Sequence, residues 1–558
     1  MRNFWLAAAA IVQSVVAVNV TVDLGYARYR GKTIENSITR WAGMRYARPV
    51  SRVNGRRFTA PEEPENERNV TDATKFGSLC IGTETELTAE FGGNYSEDCL
   101  FINVFAPSKA KNDSNLPVYV FIQGGGFNVN GNADYNGADL IDAGDDGIVV
   151  VNFNYRVGPY GFLAGKELAE NKTLSLNNGL KDQRLALQWI QKHIKKFGGD
   201  PNHVTLGGAS AGGGSVVLQL TAYGGRDDKL FHAAAAESAA FPPLRNVEDS
   251  QWQYEALLKE AGCKDLECLT NMDAVKFQAA VQSLRMPFPG ASNAPIFFWN
   301  PTLDYDFVQD YTYNELRNGH FIRVPTIFGD STNEGTIFTP RNVTSLPRAQ
   351  QFIIDQFPGA SWSEIAKVWK GPIDIRRDPR WRTLAADVYG HIRYTCPNLN
   401  MSDIFARDNS HPTWQYRWNV GTATHVGELL PIWNNATSAA GVFAQAYWAS
   451  FIRSYDPNKH ATEYLLAKGQ GMESPLWEDF GTFRQRMTFS DDNVVRMQIL
   501  PDEEVKQCHA IDNMGLHLKQ VTSSNSTITS AGVRKDSLAS NYIAAGAVLL
   551  GIFQWVFA

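Results

Sequence analysis

The chain has 558 residues, 44% of them apolar and 12% aromatic, with a formal net charge of −6. This composition can fill a large core, and it offers no basic footprint, which sets nucleic acid aside as a partner. Length leaves the domain count open, because large α/β folds hold several hundred residues around one sheet.

In chain order, residues 1–17 read "MRNFWLAAAAIVQSVVA". Arg2 supplies a cation, the apolar run is too short to span a bilayer, and small residues at Val15 and Ala17 suit cleavage after Ala17. A secretory signal is expected. Nine N-x-S/T sequons follow, at Asn19, Asn69, Asn94, Asn112, Asn171, Asn342, Asn400, Asn435 and Asn525. An oxidising compartment lets the six cysteines pair. Fifteen connectivities are open. Cys263 with Cys268 is the easiest pair to close and Cys80 with Cys99 the next most local, leaving Cys396 with Cys508, but local spacing alone does not decide.

Strand-like apolar runs then alternate with helical patterns. They are "LPVYVFI" (116–122), "GIVVVNFNY" (147–155), the helical "GLKDQRLALQWIQKHIKKF" (179–197), "HVTLGG" (203–208), "VPTIFG" (324–329) and "TWQYRWNV" (413–420). Continuous Val/Ile runs flanked by helices predict an α/β fold whose mostly parallel sheet is covered on both faces. There is no heptad run, long low-complexity segment or convincing repeat.

Four loops after these strands carry chemistry. "QGGGF" (123–127) follows the first, and the side-chain-free Gly125 and Gly126 can turn their amides toward a developing oxyanion beside the amide of Ala211. "GASAG" (208–212) fits G-x-S-x-G, in which a strand turns sharply into a helix and exposes the Oγ of Ser210. A hydroxyl needs a base, and the base needs an acid that fixes its tautomer. "GDSTNEG" (329–335) offers Asp330 and Glu334 as the acid, and "GTATHVGEL" (421–429) offers His425 as the best placed of ten histidines. His460, His509 and His517 lie in a polar turn or close to the C-terminal spacer.

The C-terminal segment is ordered as a glycosylphosphatidylinositol (GPI) signal. "SSNSTITSAG" (523–532) holds the attachment candidate Ser530, "VRKDSLASN" (533–541) is a polar spacer, and "YIAAGAVLLGIFQWVFA" (542–558) is an apolar tail. A spanning anchor is disfavoured, since the tail is short and no Lys or Arg follows it.

These motifs closely resemble the type-B carboxylesterase/lipase family, the cholinesterase-like α/β-hydrolases, from about residue 20 to about residue 510. The match includes "WAGMRYARPV", "EDCLFINVFAP", "QGGGF", "NYRVGPYGFLA", "GGASAGG", "VPTIFGDSTNEG" and "YDPN" in one order. The resemblance implies an α/β-hydrolase fold in one large domain (18–522) and a serine ester hydrolase. In it Ser210 is the nucleophile, Glu334 the acid, His425 the base, and Gly125, Gly126 and Ala211 the oxyanion donors. It prefers Glu334 to Asp330 because the family acid directly precedes a glycine. It also implies disulfides Cys80–Cys99, Cys263–Cys268 and Cys396–Cys508, and ion pairs Arg57–Glu97 and Arg156–Asp182.

Three departures matter. Position 209 is Ala where many relatives carry Glu, His425 is flanked by Thr424 and Val426 rather than the usual Gly after it, and the loop from Cys80 to Cys99 has no Trp. The groups that favour a quaternary ammonium are therefore missing, so choline esters are disfavoured. The expected partner is a small-molecule or lipid ester, with no cofactor and no metal, at a cell surface reached through a lipid anchor. The rival reading is an adhesion protein on the same fold, against which the intact triad argues.

Overall fold

The computed structural model describes residues 20–85, 95–130, 135–369, 380–434, 436–469, 473–491 and 494–521. The signal segment 1–17, Ser530, the tail 542–558 and the sequons at Asn19, Asn94, Asn435 and Asn525 lie outside the described residues.

Among the described residues, eleven strands form one sheet. They are β1 (Lys32–Thr33), β2 (Ile38–Arg45), β3 (Phe101–Pro107), β4 (Leu116–Ile122), β5 (Val149–Phe153), β6 (Gly199–Ala209), β7 (Ala233–Glu237), β8 (Thr326–Ser331), β9 (Thr413–Asn419), β10 (Gln485–Ser490) and β11 (Val495–Ile499). Their spatial order is β11-β10-β9-β8-β7-β6-β4-β5-β3-β2-β1. The strands from β10 across to β5 run parallel. The two margins are antiparallel.

Side chains alternate across a strand, so each strand feeds both faces. Val118, Val120 and Ile122 of β4 join one apolar cluster, and Tyr119 and Phe121 join another. A strand covered on both sides therefore reads as a continuous apolar run. The first face is covered by α1 (Asn178–His193) and α2 (Ala211–Leu220), through Leu187, Ile190, Val216 and Val217. A third cluster joins α3 (Leu346–Gln356), α4 (Arg380–Gly390), α5 (Cys396–Asp408) and, further along the chain, Ile511. The second face is covered by α6 (Ala439–Ser454) through Tyr447, Trp448 and Phe451. Ile511 belongs to α7 (Asp502–Asn513). Each fully buried aliphatic or Phe side chain contributes about 1.5–3 kcal/mol.

The fold expectation holds, with helices on both faces of a mostly parallel sheet. The predicted helix 179–197 ends earlier, at His193, and continues as a tighter turn over Ile194–Phe197 that closes on Gly198. Because the central strands are parallel, the loops after β4, β6, β8 and β9 leave from one edge of the sheet, where α/β folds place their sites. Gly125, Ser210, Glu334 and His425 lie in those four loops. No helix among the described residues is long and apolar enough to cross a membrane.

Candidate active site

Ser210 joins β6 to α2 with φ 58° and ψ −122°, a sparsely populated conformation that costs about 1–3 kcal/mol. Three backbone hydrogen bonds pin it. Its N–H donates to the Glu237 carbonyl, and its own carbonyl accepts from Gly214 and Ala240, all at 2.9 Å. The flanking glycines are a steric necessity. A Cβ at Gly212 would lie 1.9 Å from the Ile122 carbonyl oxygen, and one at Gly208 would lie 2.5 Å from the Gly212 oxygen. Strand and helix pass too closely for any side chain there.

His425 reaches the serine from the loop after β9, with Nε2 2.8 Å from Ser210 Oγ. Its Nδ1 is hydrogen-bonded to Glu334 Oε2, and Glu334 Oε1 accepts the Ser331 amide at 2.7 Å. Ser210, His425 and Glu334 are all buried. Asp330, the other acid candidate, points elsewhere and accepts from Arg417 Nε at 2.9 Å. Tyr394 lies against the imidazole at 4.3 Å between ring centres, and Phe338 meets it edge-on at 5.1 Å. The glycine loop is held against the serine, since a Cβ at Gly124 would lie 3.0 Å from Ser210 Cβ. Gly125 (φ 112°) and Gly126 (φ 61°) follow it in the left-handed region. Among the described residues, no acceptor engages the amides of Gly125, Gly126 or Ala211.

Sequence reasoning missed a buried acidic layer behind Glu334. Ser331 Oγ donates to Glu428 Oε2 at 3.1 Å, and Tyr416 donates its hydroxyl to Oε1 of the same carboxyl. Burial raises Glu428 to about 7, with the Glu334 charge adding to the rise. Glu237, wholly buried, accepts from Trp448 Nε1 at 3.2 Å and from the Tyr119 hydroxyl at 3.3 Å. Burial, then the Glu428 charge, holds it well above the usual carboxylate range. Position alone does not mark them: Glu428 stands three residues after His425 and Glu237 ends an alanine strand, but neither placement shows that the carboxyl is buried. A separate cavity of about 410 Å³ is lined by Glu334, Gly335, Trp369, Asp387, His391 and Gln507, but by neither Ser210 nor His425.

The remaining sequence expectations also have definite places. Arg57 meets Glu97 at 2.5 Å and Arg156 meets Asp182 at 2.7 Å. Disulfides join Cys80 to Cys99, Cys263 to Cys268 and Cys396 to Cys508. Ala209 is buried and adds no charge. Val426, where a glycine is usual, has φ 54°, an outlier for a β-branched residue. The sequons at Asn69, Asn112, Asn171 and Asn342 are exposed, whereas Asn400 is half-buried in α5 and donates its amide to Asp512.

A profile of the carboxylesterase family matches residues 18–507. The chain belongs to that family. This carboxylesterase is 34% identical over 402 residues to "Lipase 4" of Diutina rugosa, covering 65% of this chain and 71% of that protein. It is 29% identical over 462 residues to "Secreted lipase 4" of Gibberella zeae, covering 74% of this chain and 80% of that protein. A crystal structure of Aspergillus niger EstA superposes with a TM-score of 0.82 at 34% identity, covering 89% of this chain and 99% of that one. The carboxylesterase is a carboxylic ester hydrolase. Its ordered fold runs past the family match, because α7 continues to Asn513 and the Lys519 carbonyl accepts the Leu244 amide at 3.1 Å.

Proposed function

We propose that this carboxylesterase cleaves its ester by two acyl transfers through Ser210. The observation that carries the reading is the hydrogen-bonded chain from Ser210 Oγ through His425 to Glu334. With Nδ1–H donating to Glu334, Nε2 is left as the acceptor. Nε2 takes the hydroxyl proton as Oγ attacks the carbonyl carbon, and Glu334 stabilises the imidazolium that forms. The Gly125, Gly126 and Ala211 amides receive the oxyanion, each donor being worth about 3–4 kcal/mol. Collapse expels the alcohol, which leaves with the His425 proton. Water then gives its proton to His425 as it attacks the acyl carbon, and collapse breaks the acyl–Oγ bond, releases the acid and returns the His425 proton to Ser210 Oγ.

Ser210→Ala and His425→Ala are each expected to lower kcat by about 10⁶, because triad members act as a unit. A Ser210→Ala enzyme with near-normal turnover of a short p-nitrophenyl ester rejects the reading. Glu334→Gln should cost about 10⁴ through loss of the tautomer, whereas Asp330→Asn should weaken the Arg417 pair and spare turnover. The reverse result moves the acid to Asp330.

Residues 18–522 are the catalytic domain in this reading, and 523–541 link it to a glycolipid attached near Ser530 once 542–558 is removed. The support is the N-terminal signal pattern, the order of small site, polar spacer and apolar tail, and the secreted lipases among the relatives. Phosphatidylinositol-specific phospholipase should release activity from intact cells. Peptides from Tyr542 to Ala558 in the mature protein would contradict the anchor.

A further inference from the structure

The turn His391–Thr395 between α4 and α5 is π-helical, a wide geometry that recurs at functional sites. It lays Tyr394 against His425 and Arg393 over Phe297, with the guanidinium carbon 4.8 Å from the ring centre. Phe297 in turn touches the oxyanion loop, since a Cβ at Gly126 would fall 2.1 Å from its ring. The Arg393 carbonyl accepts the Phe241 amide at 2.9 Å, next to Ala240, which is bonded to Ser210. Arg393 is thus tied by ring and by backbone to the catalytic groups.

Arg393 is 4% exposed, and its Nε and Nη2 are sealed from solvent without an acceptor. The hydroxyls of Tyr389 and Tyr394, whose rings lie 6.3 Å apart, are equally buried; they interact with each other and with Arg393 but meet no carboxylate acceptor among the described residues. The buried arginines Arg57, Arg156 and Arg417 each hold a carboxylate. Burying a cation without an anion is strongly unfavourable, and a desolvated cation–π contact offsets only part of that cost. A guanidinium fork and two phenol donors, one aromatic layer from the imidazole, are complementary to a carboxylate.

We propose that Arg393, with the Tyr389 and Tyr394 hydroxyls, binds a carboxylate carried by the substrate, so that the enzyme favours esters with a free carboxylate over neutral ones of similar size. This rests on the hydrolase reading of Ser210. The carboxylate can belong to the acyl part, as in a half-ester of a dicarboxylic acid, or to the alcohol part, as in an ester of a hydroxy acid.

The test compares kcat/KM on the full-length enzyme by pH-stat near neutrality. Monoethyl adipate is set against ethyl hexanoate, and the hexanoyl ester of 3-hydroxypropanoate against propyl hexanoate. A preference of about tenfold or more for the anionic member is expected in one pair, and that pair identifies the side. Arg393→Met should lower that ratio about tenfold, with Arg393→Lys between the two. Adipate should also inhibit wild-type turnover of ethyl hexanoate competitively, which does not depend on how well a variant folds. Equal or reversed preference in both wild-type pairs, a preference that survives Arg393→Met, or no inhibition by adipate overturns the subsite and leaves the hydrolase intact. No hydrolysis of any of these esters overturns the hydrolase reading itself.

Discussion

At Ser210 the backbone strain and the glycine pattern have one cause. The hydroxyl must stand clear of a turn in which β6 and α2 nearly touch, and Gly212 sits where a Cβ would be 1.9 Å from a backbone oxygen that cannot swing aside. Gly212→Ala should therefore cost about 3 kcal/mol or more and most of the activity. A melting temperature equal to wild type contradicts the close-approach account. Ala209 leaves no fixed anion beside the site, so neutral esters should be turned over with higher kcat/KM than choline esters of equal acyl length, and parity would count against this. Ser210 and His425 were legible because each follows an apolar strand within a few residues, and the acid was legible only as Asp330 or Glu334, between which the family resemblance preferred Glu334. Glu428 and Glu237 were not, since their significance comes from burial by Tyr416 and Trp448, which other parts of the chain supply.

Among the elements, the central strands could be read from continuous apolar runs, while the margins could not. β10 reads "QRMTFS", and its Arg486 is buried only because Glu504 of α7 meets it at 2.6 Å. The two residues stand 18 apart on different elements, and the pairing leaves no periodic trace. The π-helical turn is equally silent, as nothing in "HIRYT" announces an extra residue per turn. Its neighbour α5 is stapled to α7 by Cys396–Cys508 across a sequence separation of 112 residues. Closing so long a loop restricts the unfolded chain by about 4–5 kcal/mol in the entropic description. Replacing both cysteines by serine should lower stability by that order in denaturant unfolding, and an unchanged midpoint would contradict it.

For the molecule as a whole, stability should peak in mildly acid solution. Burial opposes ionisation of Glu504, but Arg417 and Arg486 outweigh it and hold the carboxyl at about 2, against an ordinary 4.5. Its contribution, about 3 kcal/mol, is present above pH 4.5 and lost as pH falls through about 2. Burial would lower His391, but Asp387 raises it from 6.5 to about 9, so its contribution is present below 6.5 and lost as pH rises through about 9. Glu428, raised by burial from 4.5 to about 7, withdraws stability across that interval as it ionises. Thermal unfolding against pH should show a maximum near about pH 5, with His391→Gln flattening the alkaline limb; a maximum in the alkaline range contradicts this. The central claim is that Ser210 carries the acyl group. Turnover of p-nitrophenyl butyrate, quenched in acid and mapped by peptide mass spectrometry, tests it most directly. The account predicts one butyryl group per chain on the peptide containing Ser210 and none in Ser210→Ala, whereas a butyryl group on another residue, or acylation that survives Ser210→Ala, would contradict it.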